Sequence, residues 1–469
     1  MIQKIDKSNI SLVAGTKRFL EYWTMQPGFE AEFRKNPEEA LNKVGLGSLT
    51  TLTDIDALKI LAIKEEAEKV KDKPFEELPL AVREYRNFIN MKIKHRNDLK
   101  SQGCVPEYPA FAAWRSRQVN RCWAELGVKN DSIIHAPLIF ELNLGCSVGC
   151  PFCGVAAGGL KKVFRGTEEN IALWRDVLTE AQKIIGKAAG SGTCYYACEP
   201  LDNPEYEQFS TIFFEVLGEV PQITTAVAMR KPERTKALLK MLAGQKQHIH
   251  RFSVLSLDIF HQIMEYFTPE ELLDVELLPQ FEEAPKCAFA EAGRARGFDS
   301  SKVQKNGEGD TIACASGFIV NMAEKSLRLI SPCNASAEHP TGELFIARDT
   351  FSDAADFAVK LRALIDKYML VDFPKTQVLR LRTGMVLEKT DEGILFYRDN
   401  GFKLKFSQSD DIPAEYYHLV YEYLKKQKYT AYDIAGELMD KDISPAQVFF
   451  ILKRFIRAGL CQEPYETGD

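Results

Sequence analysis

Three cysteines set the first chemical question. Cys146-Ser147-Val148-Gly149-Cys150-Pro151-Phe152-Cys153 brings three thiolates within eight residues, on a stretch that also holds Gly145, Gly149 and Gly154. Such a loop can wrap one corner of an iron–sulfur cubane. A cluster bound by four cysteines is coordinatively complete, whereas three leave one iron open for direct binding of a substrate. Structural zinc wants four ligands in paired short spacings, and no nearby Cys or His completes such a set. Cys146, Cys150 and Cys153 are therefore the expected metal ligands.

Eight further cysteines stand at 104, 122, 194, 198, 287, 314, 333 and 461. The amino-terminal stretch MIQKIDKSNISLVAG lacks the long apolar core of a secretory signal. No apolar run approaches the ~18 residues needed to span a bilayer. These features predict a cytoplasmic protein with no membrane partner, in which disulfides are disfavoured. The 469 residues are 45% hydrophobic and 27% charged, the balance of a globular chain. A net charge of -6 offers no electrostatic footprint for a nucleic-acid backbone.

Elements must hold the cysteine loop in place, and the patterning supplies them. Residues 1–75 read as helices, with Phe19, Leu20, Tyr22 and Trp23 opening an apolar face and Phe29 and Phe33 one repeat apart. Asn36-Pro37-Glu38-Glu39 reads as an N-cap, a proline at N1 and an acidic first turn. Residues 76–135 form a charged helical connector. From Pro137 short apolar strands alternate with amphipathic helices: strands over 138–142, 193–198, 223–228, 252–257 and 275–278, and a helix over 167–185 striped by Ile171, Trp174, Leu178, Ala181 and Ile185. That alternation predicts an α/β fold of parallel βα units over 136–300, in a sheet or an incomplete barrel, with catalytic groups at the C-terminal ends of the strands. Residues 301–379 contain a hairpin, FIVNMAEKSLRLISPC. Over 380–469 a second hairpin and three helices, with capping boxes at Thr430…Asp433 and Ser444…Gln447 and Pro445 at N1, read as winged-helix-like.

Cys-x3-Cys-x-aromatic-Cys after the first strand, with Phe152 as the aromatic, resembles the radical S-adenosyl-L-methionine (SAM) superfamily motif. The resemblance implies a partial (β/α)6 barrel and a [4Fe–4S] cluster on Cys146, Cys150 and Cys153. SAM would chelate the fourth iron and yield a 5′-deoxyadenosyl radical on reductive cleavage. Ala197-Cys198-Glu199-Pro200 resembles the superfamily's Gly-Gly-Glu-Pro segment, with Glu199 accepting from the SAM ammonium. It departs by having Ala197 and Cys198 in place of two glycines. Ser256 and Asp258, ending the fourth predicted strand, are expected to meet the SAM ribose or carboxylate, or else to be a solvated strand end.

FELNLGCSVGCPFCGVAA, RQVNRCWAELG and RFLEYW…FRKNPEEALNKVGL together resemble proteusin-type radical SAM epimerases, which mature ribosomally made, post-translationally modified peptides (RiPPs). This implies L-to-D conversion of residues in a precursor peptide that carries a leader, with a reductant such as flavodoxin or ferredoxin. The N-terminal stretch also resembles the leaders of such precursors, and 380–469 resembles their peptide-recognition element, which adds a leader strand to its sheet edge. Epimerisation needs a hydrogen returned to the opposite face of Cα, and a thiol S–H suits that step. Cys333, in Ser331-Pro332-Cys333-Asn334, is the expected donor. Cys314, which brackets the same hairpin, is the alternative. The close-packed cysteines of an auxiliary-cluster domain are missing. Competing readings are a radical SAM maturase that makes cross-links or another Cα modification, and a non-catalytic iron–sulfur sensor that binds peptide or DNA.

Overall fold

The computed structural model describes residues 5–243, 249–287, 289–296 and 310–466. The expected boundary at 300/301 lies outside them. Two compact units form: Met1–Leu99, Phe140–Arg175 and Thr193–Gly307 make the first, and Lys100–Ile139, Asp176–Gly192 and Glu308–Asp469 the second.

The first unit opens with helices Ile10–Met25, Phe29–Lys35, Pro37–Lys43, Ile55–Ala62 and Leu80–Asp98. Asn36 caps the third by accepting from Glu39 N–H at 3.3 Å, with Pro37 at the first helical position. Phe19 sits at the centre of an aromatic cluster, its ring 5.0 Å from Phe33 and 5.8 Å from Trp23. The Arg18 guanidinium donates to Met264 O at 3.0 Å and Phe267 O at 2.9 Å. It thereby satisfies carbonyls at the end of helix Leu257–Tyr266, so the helical region is stitched to the βα array.

That array advances in sequence order. Strand β1 (Ala136–Glu141) is followed by a ribbon of β2 (Asn143–Leu144) and β3 (Lys162–Val163). Phe140 N–H bonds Thr193 O at 2.9 Å, and Thr193 forms a parallel bridge with Gln222. Strands β4 (Thr224–Thr225), β5 (His250–Val254) and β6 (Val275–Pro279) then form a parallel sheet. Helices Glu168–Ile185, Tyr206–Leu217, Pro232–Ala243 and Leu257–Tyr266 intervene. On the first of these, Trp174 is fully buried, edge-on to Phe140 at 5.1 Å, and donates to Phe209 O. Leu178, Ala181 and Ile185 are buried as the stripe predicts, while Ile171 is half-buried.

The strand expected over 193–198 reduces to the bridge at Thr193. Thr193 Oγ1 donates to Tyr195 O at 2.7 Å, Tyr195 Oη meets Thr224 Oγ1 at 2.6 Å, and Ala197 N–H goes to the Glu141 carboxylate. Side chains thus satisfy backbone groups that a ladder would otherwise use. The strand expected over 223–228 is likewise only two residues long. Among the described residues no sheet closes into a barrel.

In the second unit, residues 136–139 of β1 flank a sheet of order β1-β7-β8-β9, with β7 Ala315–Asn321, β8 Ser326–Pro332 and β9 Glu343–Thr350. The expected hairpin is β7–β8, turning over residues 322–325; β9 was not foreseen. Helix Pro109–Leu126 buries Arg117 and Arg121. The carboxy-terminal part holds β10 (Val386–Thr390), β11 (Gly393–Tyr397) and β12 (Lys403–Ser407), then helices Ala414–Leu424, Ala431–Met439 and Pro445–Arg457. Both predicted capping boxes are formed. Phe396, Phe406, Tyr417 and Phe455 pack together at its centre.

Candidate functional site

The cysteine loop leaves the C-terminal end of β1 and is closed at its base by β2 and β3. Cys146 N–H bonds Gly158 O at 2.9 Å and starts the loop. Gly145 has φ +85°, and a Cβ there would lie 2.2 Å from Gly159 O, so only glycine fits. Gly149 is also left-handed, at φ +66°. Cys153 N–H turns back to Cys150 O at 3.3 Å. Two sulfurs accept backbone hydrogen bonds: Val148 N–H to Cys146 Sγ and Ala157 N–H to Cys153 Sγ, both at 3.4 Å.

All three thiols are half-buried. Burial, and then the neighbouring Cys153 and Cys146 sulfurs, push Cys150 up to about 11. Among the described residues no three His, Cys, Asp or Glu side chains gather to hold a single metal ion. A cubane asks for something different, because each sulfur takes a separate iron at one of its corners. Three half-buried thiols on one loop would meet that demand for separate ligands.

Neighbouring strand ends are tied together by buried carboxylates. Glu141 holds Ala197 N–H at 2.7 Å. Glu199 accepts from Thr225 Oγ1 at 2.7 Å, Ala226 N–H at 2.9 Å and Leu201 N–H at 3.0 Å. Burial raises its carboxyl above the ordinary value, and those donors oppose the shift. A carboxylate has roughly four acceptor positions, and three donors reach Glu199, so it braces the end of β4. Cys198 beside it is half-buried, its thiol held well above the ordinary value by burial and then by Glu141. Asp202 accepts from Ser147 N–H at 2.8 Å and Ser147 Oγ at 2.5 Å, and Arg230 donates to Ser147 Oγ at 3.0 Å. The cysteine loop is thus bonded to the turn after Glu199. Sequence reasoning missed Glu141, Ser147, Asp202 and Arg230, because nothing local marks pairings 55 residues or more apart.

The remaining expected residues take varied places. Ser256 caps helix Leu257–Tyr266, its Oγ accepting from Ile259 N–H at 3.2 Å, and exposed Asp258 lies in the first turn of that helix. Phe152 stacks on Phe289, with centroids 4.5 Å apart. Cys314 and Cys333 belong to the second unit. They leave the same end of the β7–β8 hairpin, beyond Ser316 Oγ and Ser331 Oγ at 3.2 Å. Cys333 is buried, and burial pushes its thiol up to about 12 against the opposing Arg121 charge. Arg121 also donates to Pro332 O at 2.6 Å, which holds that end of the hairpin on helix Pro109–Leu126. No helix among the described residues is long and apolar enough to cross a membrane.

No protein-family model matches the chain. Among solved structures, the crystal structure of BtrN in complex with AdoMet and 2-DOIA is similar with a TM-score of 0.32 and 12% identity. The match covers 49% of this chain and 81% of that one, a likeness too slight to bear on fold or chemistry. In sequence, the chain is 33% identical over 394 residues to the uncharacterized protein y4wI of Sinorhizobium fredii, across 82% of this chain and 75% of that protein. At that identity and coverage, the chain belongs to the same family as y4wI.

Proposed function

We propose that this protein is a radical SAM enzyme that epimerises residues of a ribosomally made peptide. One observation carries the reading: a glycine-shaped loop of three cysteines leaves the C-terminal end of the first strand in a sequential series of βα units, hydrogen-bonded to the turn that holds Glu199. Cys146, Cys150 and Cys153 would hold three irons of a [4Fe–4S] cluster. When bound and reduced by one electron, the cluster and SAM supply a 5′-deoxyadenosyl radical that takes a hydrogen atom from a substrate Cα. Glu199 would accept from the SAM ammonium. Phe152, which stacks on Phe289, would flank the cluster, and Cys198, Ser256 and Asp258 would contact SAM.

A thiol then returns hydrogen to the opposite face of Cα. Its S–H bond breaks as the new Cα–H bond forms, and the sulfur regains an electron and a proton through a reductant such as flavodoxin or ferredoxin. Cys333 suits this role because its raised pKa keeps S–H intact at neutral pH; Cys314 is the alternative. A second assignment has support of its own: Cys198 is also held protonated, and it adjoins Glu199 in the unit that carries the cysteine loop.

The carboxy-terminal part would bind the precursor's leader. Its edge strand β10 is partly exposed, beside a groove lined by Leu381, Met385, Leu387, Phe396, Tyr421 and Lys425. Such an edge suits an added extended strand with apolar and acidic side chains. Anaerobic reconstitution tests the core of the reading. Wild-type protein should carry four irons and, once reduced, cleave SAM to 5′-deoxyadenosine. Cys146, Cys150 and Cys153 changed together to alanine should abolish both. Stoichiometric zinc with no SAM cleavage would sink it.

A further inference from the structure

The cysteine loop is gripped by a remote segment, residues 289–294. Phe289 stacks on Phe152 at 4.5 Å and 32°. Gly293, at φ +57°, passes so close that a Cβ would lie 2.3 Å from Gly154 O and 2.4 Å from Cys153 O. Arg294 then closes on the loop with three donors: its backbone N–H to Cys153 O at 2.9 Å, Nε to Cys150 O at 2.9 Å and Nη1 to Ala157 O at 2.7 Å. Three carbonyls of one eight-residue stretch end on a single residue more than a hundred positions away. With those carbonyls turned to the arginine, N–H groups of the same loop are free to face sulfur, as Val148 and Ala157 do.

We infer that Arg294 is a positioning residue for the cluster proposed above. It sets the curvature of the cysteine loop before iron arrives and keeps a permanent positive charge beside the Cys150 end. The inference rests on the cluster reading for its second half only. Hydrogen bonds and net charge around an iron–sulfur cluster set its reduction potential. A fixed cation favours the more negative, reduced form.

Two variants and two readouts test it. In metal-free protein, Arg294→Gln should speed deuterium uptake by peptides spanning 145–158 several-fold, while peptides from helix Leu80–Asp98 exchange as in wild type. In reconstituted protein at low ionic strength, Arg294→Gln should move the cluster's midpoint potential to more negative values. Arg294→Lys should restore the potential but not the exchange protection, because an ammonium keeps the charge and lacks the fork. Unchanged exchange in Arg294→Gln would overturn the latch. Faster exchange with an unmoved potential would reduce Arg294 to ordinary loop structure and overturn its role toward the cluster. If wild-type protein takes up no iron, the cluster reading falls by itself, and the exchange arm still decides the latch.

Discussion

Thr225 Oγ1 donates to Glu199 Oε1 at 2.7 Å, joining the end of β4 to the turn after Thr193 by a buried hydrogen bond. Glu199→Gln would set an amide NH2 against donors that now meet a carboxylate. The expected cost is about 1–3 kcal/mol of stability, together with weaker SAM binding in equilibrium dialysis. The pH dependence has a definite sign. Burial holds the Glu199 carboxyl above its ordinary 4.5, and only the ionised form attracts an ammonium. SAM affinity should therefore start to fall on acidification while the pH is still above 4.5. Affinity that holds until well below that value would remove Glu199 from the SAM site.

Cys150 gives a second pH signature. Its thiol, pushed up to about 11, is almost wholly protonated at neutral pH. In metal-free protein its alkylation by iodoacetamide should rise about tenfold per pH unit up to about pH 10. A plateau near pH 8.5, the range of an ordinary thiol, would contradict this. Iron uptake must displace the same proton and should improve as pH rises.

Gly145 tests the loop's shape without touching a ligand. Gly145→Ala combines a left-handed backbone with a collision at 2.2 Å against Gly159 O. It should cost at least about 1 kcal/mol and lower the iron bound per chain after reconstitution. Full loading with wild-type stability would mean that the loop adapts and that its glycines do not shape the site.

How far the sequence reaches follows from the range of each interaction. The capping boxes at Thr430 and Ser444 involve residues three apart and form as read. The cysteine spacing and the strands at 138–142 and 275–278 are similarly local patterns. The strand expected over 193–198 has β-prone residues, yet the Glu141 carboxylate takes Ala197 N–H and the Thr193 hydroxyl donates to Tyr195 O. Strands β9 and β12 are edges with weak alternation of their own, held by the hairpins they join. Arg294 stands among charged and small residues with no local pattern, and its partner Cys150 O lies 144 positions earlier.

The carboxy-terminal segment is anchored by a buried ion pair. Arg117 reaches the Glu463 carboxylate with Nε at 2.7 Å and Nη2 at 3.1 Å, and both side chains are at most 3% exposed. Glu463→Ala leaves a buried guanidinium without its partner and should cost about 3–5 kcal/mol, read from hydrogen exchange across residues 380–466. A loss below about 1 kcal/mol, the value of an exposed pair, would contradict the anchoring.

The most direct test of the account is the mass of a precursor peptide after turnover in heavy water. Thiol protons exchange with solvent, whereas the hydrogen taken from Cα leaves with 5′-deoxyadenosine. Each inverted residue should therefore gain one deuterium at Cα, and in ordinary water the peptide's mass should not change. Cys333→Ala should still cleave SAM while forming little D-residue; the same loss in Cys314→Ala or Cys198→Ala instead would reassign the donor. A peptide that loses hydrogens, gains mass in ordinary water, or emerges unlabelled and unchanged would contradict epimerisation.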